Sequence, residues 1–201
     1  MKKTIIFLSI IFIAFAANAQ KIYFGIKGGL NVSSLNIKNN SSVESKTGFH
    51  VGVLTHIHAS KTWALQPEIF YSQEGAKETF SGYYVDYNLR YINVPVLLQY
   101  FFNNGFRLEG GPQMGFLLKA KTKSDYIYYG EGSNGNFQST AISIPLGIGY
   151  LTSRGLGIDA RYIFGLSNIN DNKYGDTFQS NVFQFGFFYQ FSDTKTHHHH
   201  K

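Results

Sequence analysis

Eight runs of residues along the chain alternate apolar positions with small or polar ones at a period of two. They cover Ile22 to Asn31, Phe49 to Ala59, Thr62 to Ser72, Leu89 to Phe101, Phe106 to Lys119, Ala141 to Leu151, Gly155 to Leu166 and Val182 to Phe191. In the last run Phe183, Phe185, Phe187, Tyr189 and Phe191 share one parity, opposite Gln184, Gly186, Phe188 and Gln190. In the first, Ile22, Phe24, Ile26 and Leu30 oppose Tyr23, Gly25, Lys27, Gly29 and Asn31. Successive side chains of a strand point to opposite faces, so this period predicts strands rather than helices. Aromatic and β-branched residues dominate one parity, as a strand at the boundary of two media requires.

The connections alternate in length. Ser60-Lys61, Asn103-Asn104-Gly105 and Thr152-Ser153-Arg154 are short and have tight-turn chemistry. The other four are longer excursions rich in Ser, Asn, Gly and Lys. Each run is long enough to cross a bilayer as a tilted strand, which takes about 9–11 residues. Strands satisfy their backbone groups in lipid only when closed on themselves. The pattern therefore predicts an all-β fold, an eight-stranded antiparallel up-and-down transmembrane β-barrel with short periplasmic turns and long extracellular loops.

The first residues supply the address. Lys2 and Lys3 precede an apolar run from Ile5 to Ala17, and Ala17-Asn18-Ala19 is a small-x-small cleavage site, the pattern of an export signal. That run falls short of the ~20 residues a helical span needs. The expected organisation is a signal peptide over 1–19, a barrel domain over 20–191 and a C-terminal tail over 192–201, whose His197 to His200 read as a tag fragment or a solvated end. The expected location is the outer membrane of a Gram-negative bacterium. Outer-membrane lipid and the outer-membrane barrel assembly machinery are then the implied partners.

Composition agrees. Charged residues make up 15% of the chain and aromatic residues 17%, where a soluble domain carries about 25% charged residues. The formal charge is +6, of which Lys2 and Lys3 supply two, leaving +4 after Ala19. With no cluster of Lys and Arg, nucleic acid is not an expected partner. The absence of Cys excludes disulfides, a lipoprotein anchor and thiolate chemistry. A soluble lipocalin-type barrel would show the same period with the apolar face inward. Against it, the polar parity is rich in glycine (Gly25, Gly29, Gly52, Gly111, Gly115, Gly147, Gly149) and poor in charge, and the apolar parity ends in aromatic residues such as Trp63, Tyr71, Tyr150 and Tyr189. Those are the marks of a narrow lumen and of interfacial girdles. Pro67, Pro95, Pro112 and Pro145 fall inside the runs, where a missing N–H predicts bulges or register breaks.

Five motifs carry a family resemblance. They are Gly25-Ile26-Lys27-Gly28-Gly29-Leu30-Asn31, Leu65-Gln66-Pro67-Glu68, Tyr71-Ser72-Gln73-Glu74-Gly75, Ile92-Asn93-Val94-Pro95 and Leu108-Glu109-Gly110-Gly111-Pro112. Together they resemble the outer-membrane β-barrel domain common in Bacteroidetes, often labelled PorT-like or porin-family. The resemblance implies an eight-stranded outer-membrane barrel, in a family most of whose members have no assigned activity.

Function is expected in the lumen or in the loops. Parity points Lys27, Arg107 and Arg161 inward with Glu68, Glu109 and Asp159, three of each sign. Eight strands leave an interior that side chains fill, and buried charges must be paired, so an ion-pair plug is expected, with Gln66, Gln99, Gln113 and Gln184 beside it. His50, His56 and His58 share a parity but have no third ligand type in sequence, and no metal or cofactor is expected. Asn170 to Asp176 resembles a calcium loop, but Tyr174 stands where an oxygen ligand belongs. Catalysis is not expected, since Thr55 and His56 point to opposite faces and no Gly-x-Ser-x-Gly elbow occurs. The candidate contacts for an envelope protein or extracellular ligand are loop tyrosines: Tyr83, Tyr84 and Tyr87 in the second loop, and Tyr126, Tyr128 and Tyr129 in the third. The alternative is a narrow, porin-like channel for small or apolar solutes.

Overall fold

The computed structural model describes residues 21–37, 43–80, 83–124, 137–171 and 177–191. The strands are β1 (Lys21–Ile37), β2 (Val43–His58), β3 (Trp63–Phe80), β4 (Tyr83–Phe101), β5 (Phe106–Gly110), β6 (Gln113–Ser124), β7 (Thr140–Leu151), β8 (Leu156–Gly165) and β9 (Phe178–Gln190). Neighbours pair antiparallel in the order β3-β2-β1-β9-β8-β7, and β4 pairs back onto β3. Both β5 and β6 lie between β4 and β7. They are two halves of one stave, so the nine strands among the described residues close an eight-stave barrel, as expected from the pattern.

The fifth run is divided at Gly111-Pro112, where the proline has no N–H to give the ladder. The register does not change there: Leu98 pairs with Gly110 and Pro95 with Gln113 on the same count. The expectation of bulges at the prolines is thus corrected. Pro67 pairs with Val96 and Pro145 with Ile163 without a shift. Among the described residues the ladder shifts between Ser45 and His50 and between Arg90 and Tyr91 instead.

The apolar parity faces outward. Phe24, Ile26, Val53, Ile69, Leu146, Ile148 and Phe187 are each at least half exposed, a surface that only hydrocarbon would cover without cost. Rings collect at the strand ends. Trp63 meets Tyr100 at 5.0 Å and Phe106 meets Tyr150 at 5.1 Å at the short-turn end, and Phe49 meets Tyr71 at 5.8 Å near the other. Two of the short turns share one construction. Gly105 donates its N–H to the carbonyl of Phe102, and Gly155 to that of Thr152, each with a positive φ of 90° and 84°.

At the long-loop end the strands outrun the expected boundaries. Ladder pairing continues to Ser33 with Lys46 and to Phe80 with Tyr83, so most of the first two loops is barrel wall. There the alternation changes phase. Leu35, Ala76, Leu89, Tyr91 and Ala120 are buried inside, while Arg90, Lys119 and Lys123 are exposed outside. The outer surface passes from apolar to charged within one residue pair, at Ile92 to Arg90 and at Leu118 to Lys119.

Candidate functional site

The interior is filled in three tiers. At the short-turn end, His56 and Phe101 meet edge-on at 5.2 Å, His56 and His58 at 4.6 Å, and Tyr23 and His58 at 5.9 Å. His56 bonds the Gln66 side-chain oxygen through Nδ1 at 3.1 Å. Higher up, Nδ1 of His50 lies 2.8 Å from Asn31 Oδ1. The three histidines that share a parity are thus split between two levels. Among the described residues no group of three or more His, Asp or Glu side chains converges to hold a metal ion.

The middle tier brings together the six charged residues that parity placed inside. Arg161 is its hub: Nη1 and Nη2 donate to the two oxygens of Glu68 at 2.8 Å each, Nη2 lies 3.3 Å from Asp159 Oδ2, and Nε donates to Glu109. Lys27 Nζ donates to Glu68 Oε2 at 2.9 Å and stands 3.9 Å from Asp159. Gln66 and Gln99 donate to Glu68 and Glu109 at 2.7 Å. A bidentate guanidinium clamp is the strongest geometry a buried carboxylate can find. Arg107 is held differently. It faces Glu109 at 3.7 Å and lies over the Phe188 ring at 4.2 Å, and none of its guanidinium nitrogens has a hydrogen-bond partner.

Inward glycines make the room. A Cβ on Gly157 would stand 2.0 Å from Phe188 Cζ, one on Gly149 2.7 Å from Arg107 Nε, and one on Gly147 2.7 Å from Arg161 Cγ. Strands β7 and β8 therefore present bare backbone where the large inward side chains of their register partners on the neighbouring strands come to rest: Arg161 beside Gly147, Arg107 beside Gly149 and Phe188 beside Gly157.

Above the ion pairs sits a carboxyl that the sequence reading left out. Glu74 is buried and accepts from Ser72 Oγ at 3.0 Å, Asn93 Nδ2 at 3.1 Å and Ser180 Oγ at 3.1 Å. It brings the buried acids to four against three cations, correcting the expected balance of signs. The signal was available in the parity of β3, whose expected end at Ser72 stopped one inward position short. A cavity of about 20 Å³ beside it, lined by Tyr91, Asn93, Gln113 and Ser143, is little more than one water molecule requires.

The third tier is apolar. Leu35, Ala76, Leu89, Tyr91, Ala120, Phe137 and Ile169 pack together across the extracellular end, with Tyr87 and Phe178 against them. Tyr87 meets Phe137 edge-on at 6.2 Å and Phe178 edge-on at 6.1 Å, and its hydroxyl donates to Glu78 at 3.2 Å. Its expected role as a loop contact is thereby corrected: it is part of the stopper. Tyr83 and Tyr84 belong to strand β4 rather than to a loop, and Tyr84 faces Lys77 Nζ at 5.9 Å from its ring. Tyr126, Tyr128 and Tyr129 lie outside the described residues. So does most of the calcium-like segment, of which Asn170 pairs with Phe137 and Asp171 accepts from Gln138.

The sequence model for the outer membrane protein beta-barrel domain matches residues 18–171, more than half of the chain. The chain belongs to that family. It is an outer-membrane β-barrel protein of the Gram-negative envelope. No curated protein matches it. Among solved structures this barrel is similar to Neisserial surface protein A, with a TM-score of 0.58 and 12% identity over 86% of this chain and 100% of that one. It is also similar to Ail, the attachment invasion locus protein of Yersinia pestis, solved in complex with the heparin analogue sucrose octasulfate. That comparison gives a TM-score of 0.55 and 18% identity over 86% of this chain and 100% of that one. At such identities the likeness is one of fold.

Proposed function

We propose that this outer-membrane barrel is a closed, non-enzymatic wall protein that works through its outer surface and extracellular end rather than through its lumen. The observation that carries this reading is the filling of the axis at three levels, by rings, by ion pairs and by an apolar stopper. A conduit would need a continuous polar path, and the apolar tier interrupts it where the lumen would open to the outside. His56 and His50 bond to the side-chain amides of Gln66 and Asn31 rather than to a hydroxyl, which is the arrangement of packing and not of a nucleophile and its base. Contact with an envelope protein or an extracellular ligand falls to the long-loop end. The motif set favours the PorT-like branch of Bacteroidetes barrels, and residues 1–19 serve as the removable export signal.

Planar-bilayer recording on the refolded full chain tests the reading. The expected record shows no steady conductance. Open-channel current that changes with Arg107→Gln or Glu109→Gln would replace it with the narrow channel for small solutes.

A further inference from the structure

On the outer wall, directly above the last apolar row, four cations stand on two neighbouring staves. Arg90 of β4 is opposite Lys119 of β6, with Asn88 opposite Lys121 and Asp86 opposite Lys123. All four side chains continue the outward face, above Ile92 on β4 and above Phe116 and Leu118 on β6. Among the described residues none of the four has an ion-pair or hydrogen-bond partner. Asp86, the carboxylate in their row, is already engaged by Lys46, which also donates to Asn88 at 2.6 Å.

Two features show that this is more than a scatter of surface lysines. The ladder between β4 and β6 slips by one residue between Arg90 and Tyr91, so Leu118 and Lys119 both lie on the outside and Ala120 returns to the interior. A regular strand would have turned Lys119 into the lumen, and bulges commonly re-aim a side chain in this way. The slip also sets two like charges directly across a strand pair, a destabilising arrangement in the absence of an anion. The level is equally specific. The inward row there is Leu89, Tyr91 and Ala120 while the outward row is cationic, so the cations stand where hydrocarbon gives way to headgroups. On the far side of β4 the row continues with the uncharged Gln73 opposite Arg90 and with Lys77 opposite Asp86. The two cations there are already engaged, Lys77 over the Tyr84 ring and Lys46 with Asp86.

We propose that Arg90, Lys119, Lys121 and Lys123 bind the phosphates of a phosphorylated glycolipid of the outer leaflet, fixing one such lipid against the β4–β6 face. The guanidinium supplies a planar fork for a phosphate and the ammonium groups supply mobile point charges. The inference rests on the wall being lipid-facing and is independent of whether the lumen conducts.

Native mass spectrometry of the full chain in neutral detergent tests it, with bisphosphorylated lipid A, the same lipid after removal of its phosphates, and inorganic phosphate as probes. The phosphorylated lipid should be retained about tenfold to a hundredfold more than the dephosphorylated one. Arg90→Gln/Lys119→Gln/Lys121→Gln should abolish that preference, and Lys61→Gln, at a short turn on the opposite end, should leave it intact. The single substitution Lys121→Gln, outside the ladder slip, should show a partial loss in a barrel whose fold is undisturbed. Equal retention of the two lipids by the unaltered protein, or an undiminished preference in the triple variant, would overturn the proposal. Full displacement of the lipid by millimolar inorganic phosphate would overturn it too, since the site would then be one for free anions.

Discussion

Arg161 is the residue on which the interior turns, because three carboxylates from three staves meet one guanidinium. Removing one partner of a buried pair leaves the others charged and unmatched, at a cost of about 3–5 kcal/mol, whereas neutralising both sides together is far milder. Arg161→Met should therefore lower unfolding stability by about that amount, and Arg161→Met/Glu68→Gln should recover part of the loss. Urea unfolding in vesicles, followed by the fluorescence of the single tryptophan, Trp63, would measure both. Parity alone showed that Lys27, Glu68, Arg107, Glu109, Asp159 and Arg161 face inward. It did not show which acid meets which base, because parity fixes the face and not the height. Height follows from the stagger between strands, which no single run of residues encodes.

At the scale of the element, the turns and the strand ends behave differently. Gly105 and Gly155 hold positive φ in turns of one design, where any L side chain costs about 1–2 kcal/mol. A Cβ would stand 2.8 Å from the Leu151 carbonyl oxygen at Gly105 but 2.4 Å from that of Gln190 at Gly155. Gly155→Ala should thus destabilise more than Gly105→Ala, a ranking that equilibrium unfolding of the two variants can check. The turns were legible because Asn103-Asn104-Gly105 and Thr152-Ser153-Arg154 carry their own chemistry. The strand extents were legible only inside the membrane. Past Ser72 and before Leu89 the outward positions become Lys77, Asp86 and Asn88 while Ala76 and Leu89 turn inward. An alternation that inverts when lipid is replaced by water reads locally as a loop, and the lengths of β1 to β4 were underestimated for that reason. Glu74 was lost with them.

For the whole molecule, the decisive property is that the greasy surface is the outer one. Leu146 sits in the middle of β7 with half its surface exposed, and Leu146→Arg should cost about 2–4 kcal/mol in a bilayer, as an outward cation at mid-depth does. Unfolding free energies compared in vesicles for the parent and the variant would show it; an unchanged value would mean that the band does not meet hydrocarbon. The wall is not uniform around its circumference. Pro67, Pro95, Pro112 and Pro145 stand on adjacent staves, one beside the next, and the β4 to β5 and β6 ladder is interrupted between them, while β1 bonds β2 and β9 through unbroken runs of thirteen residue pairs each. Every missing amide donor contributed by proline thus falls in one half of the cylinder. That half yields more readily to bending and the other resists it, so lateral pressure from the bilayer would flatten the cross-section along a single preferred diameter.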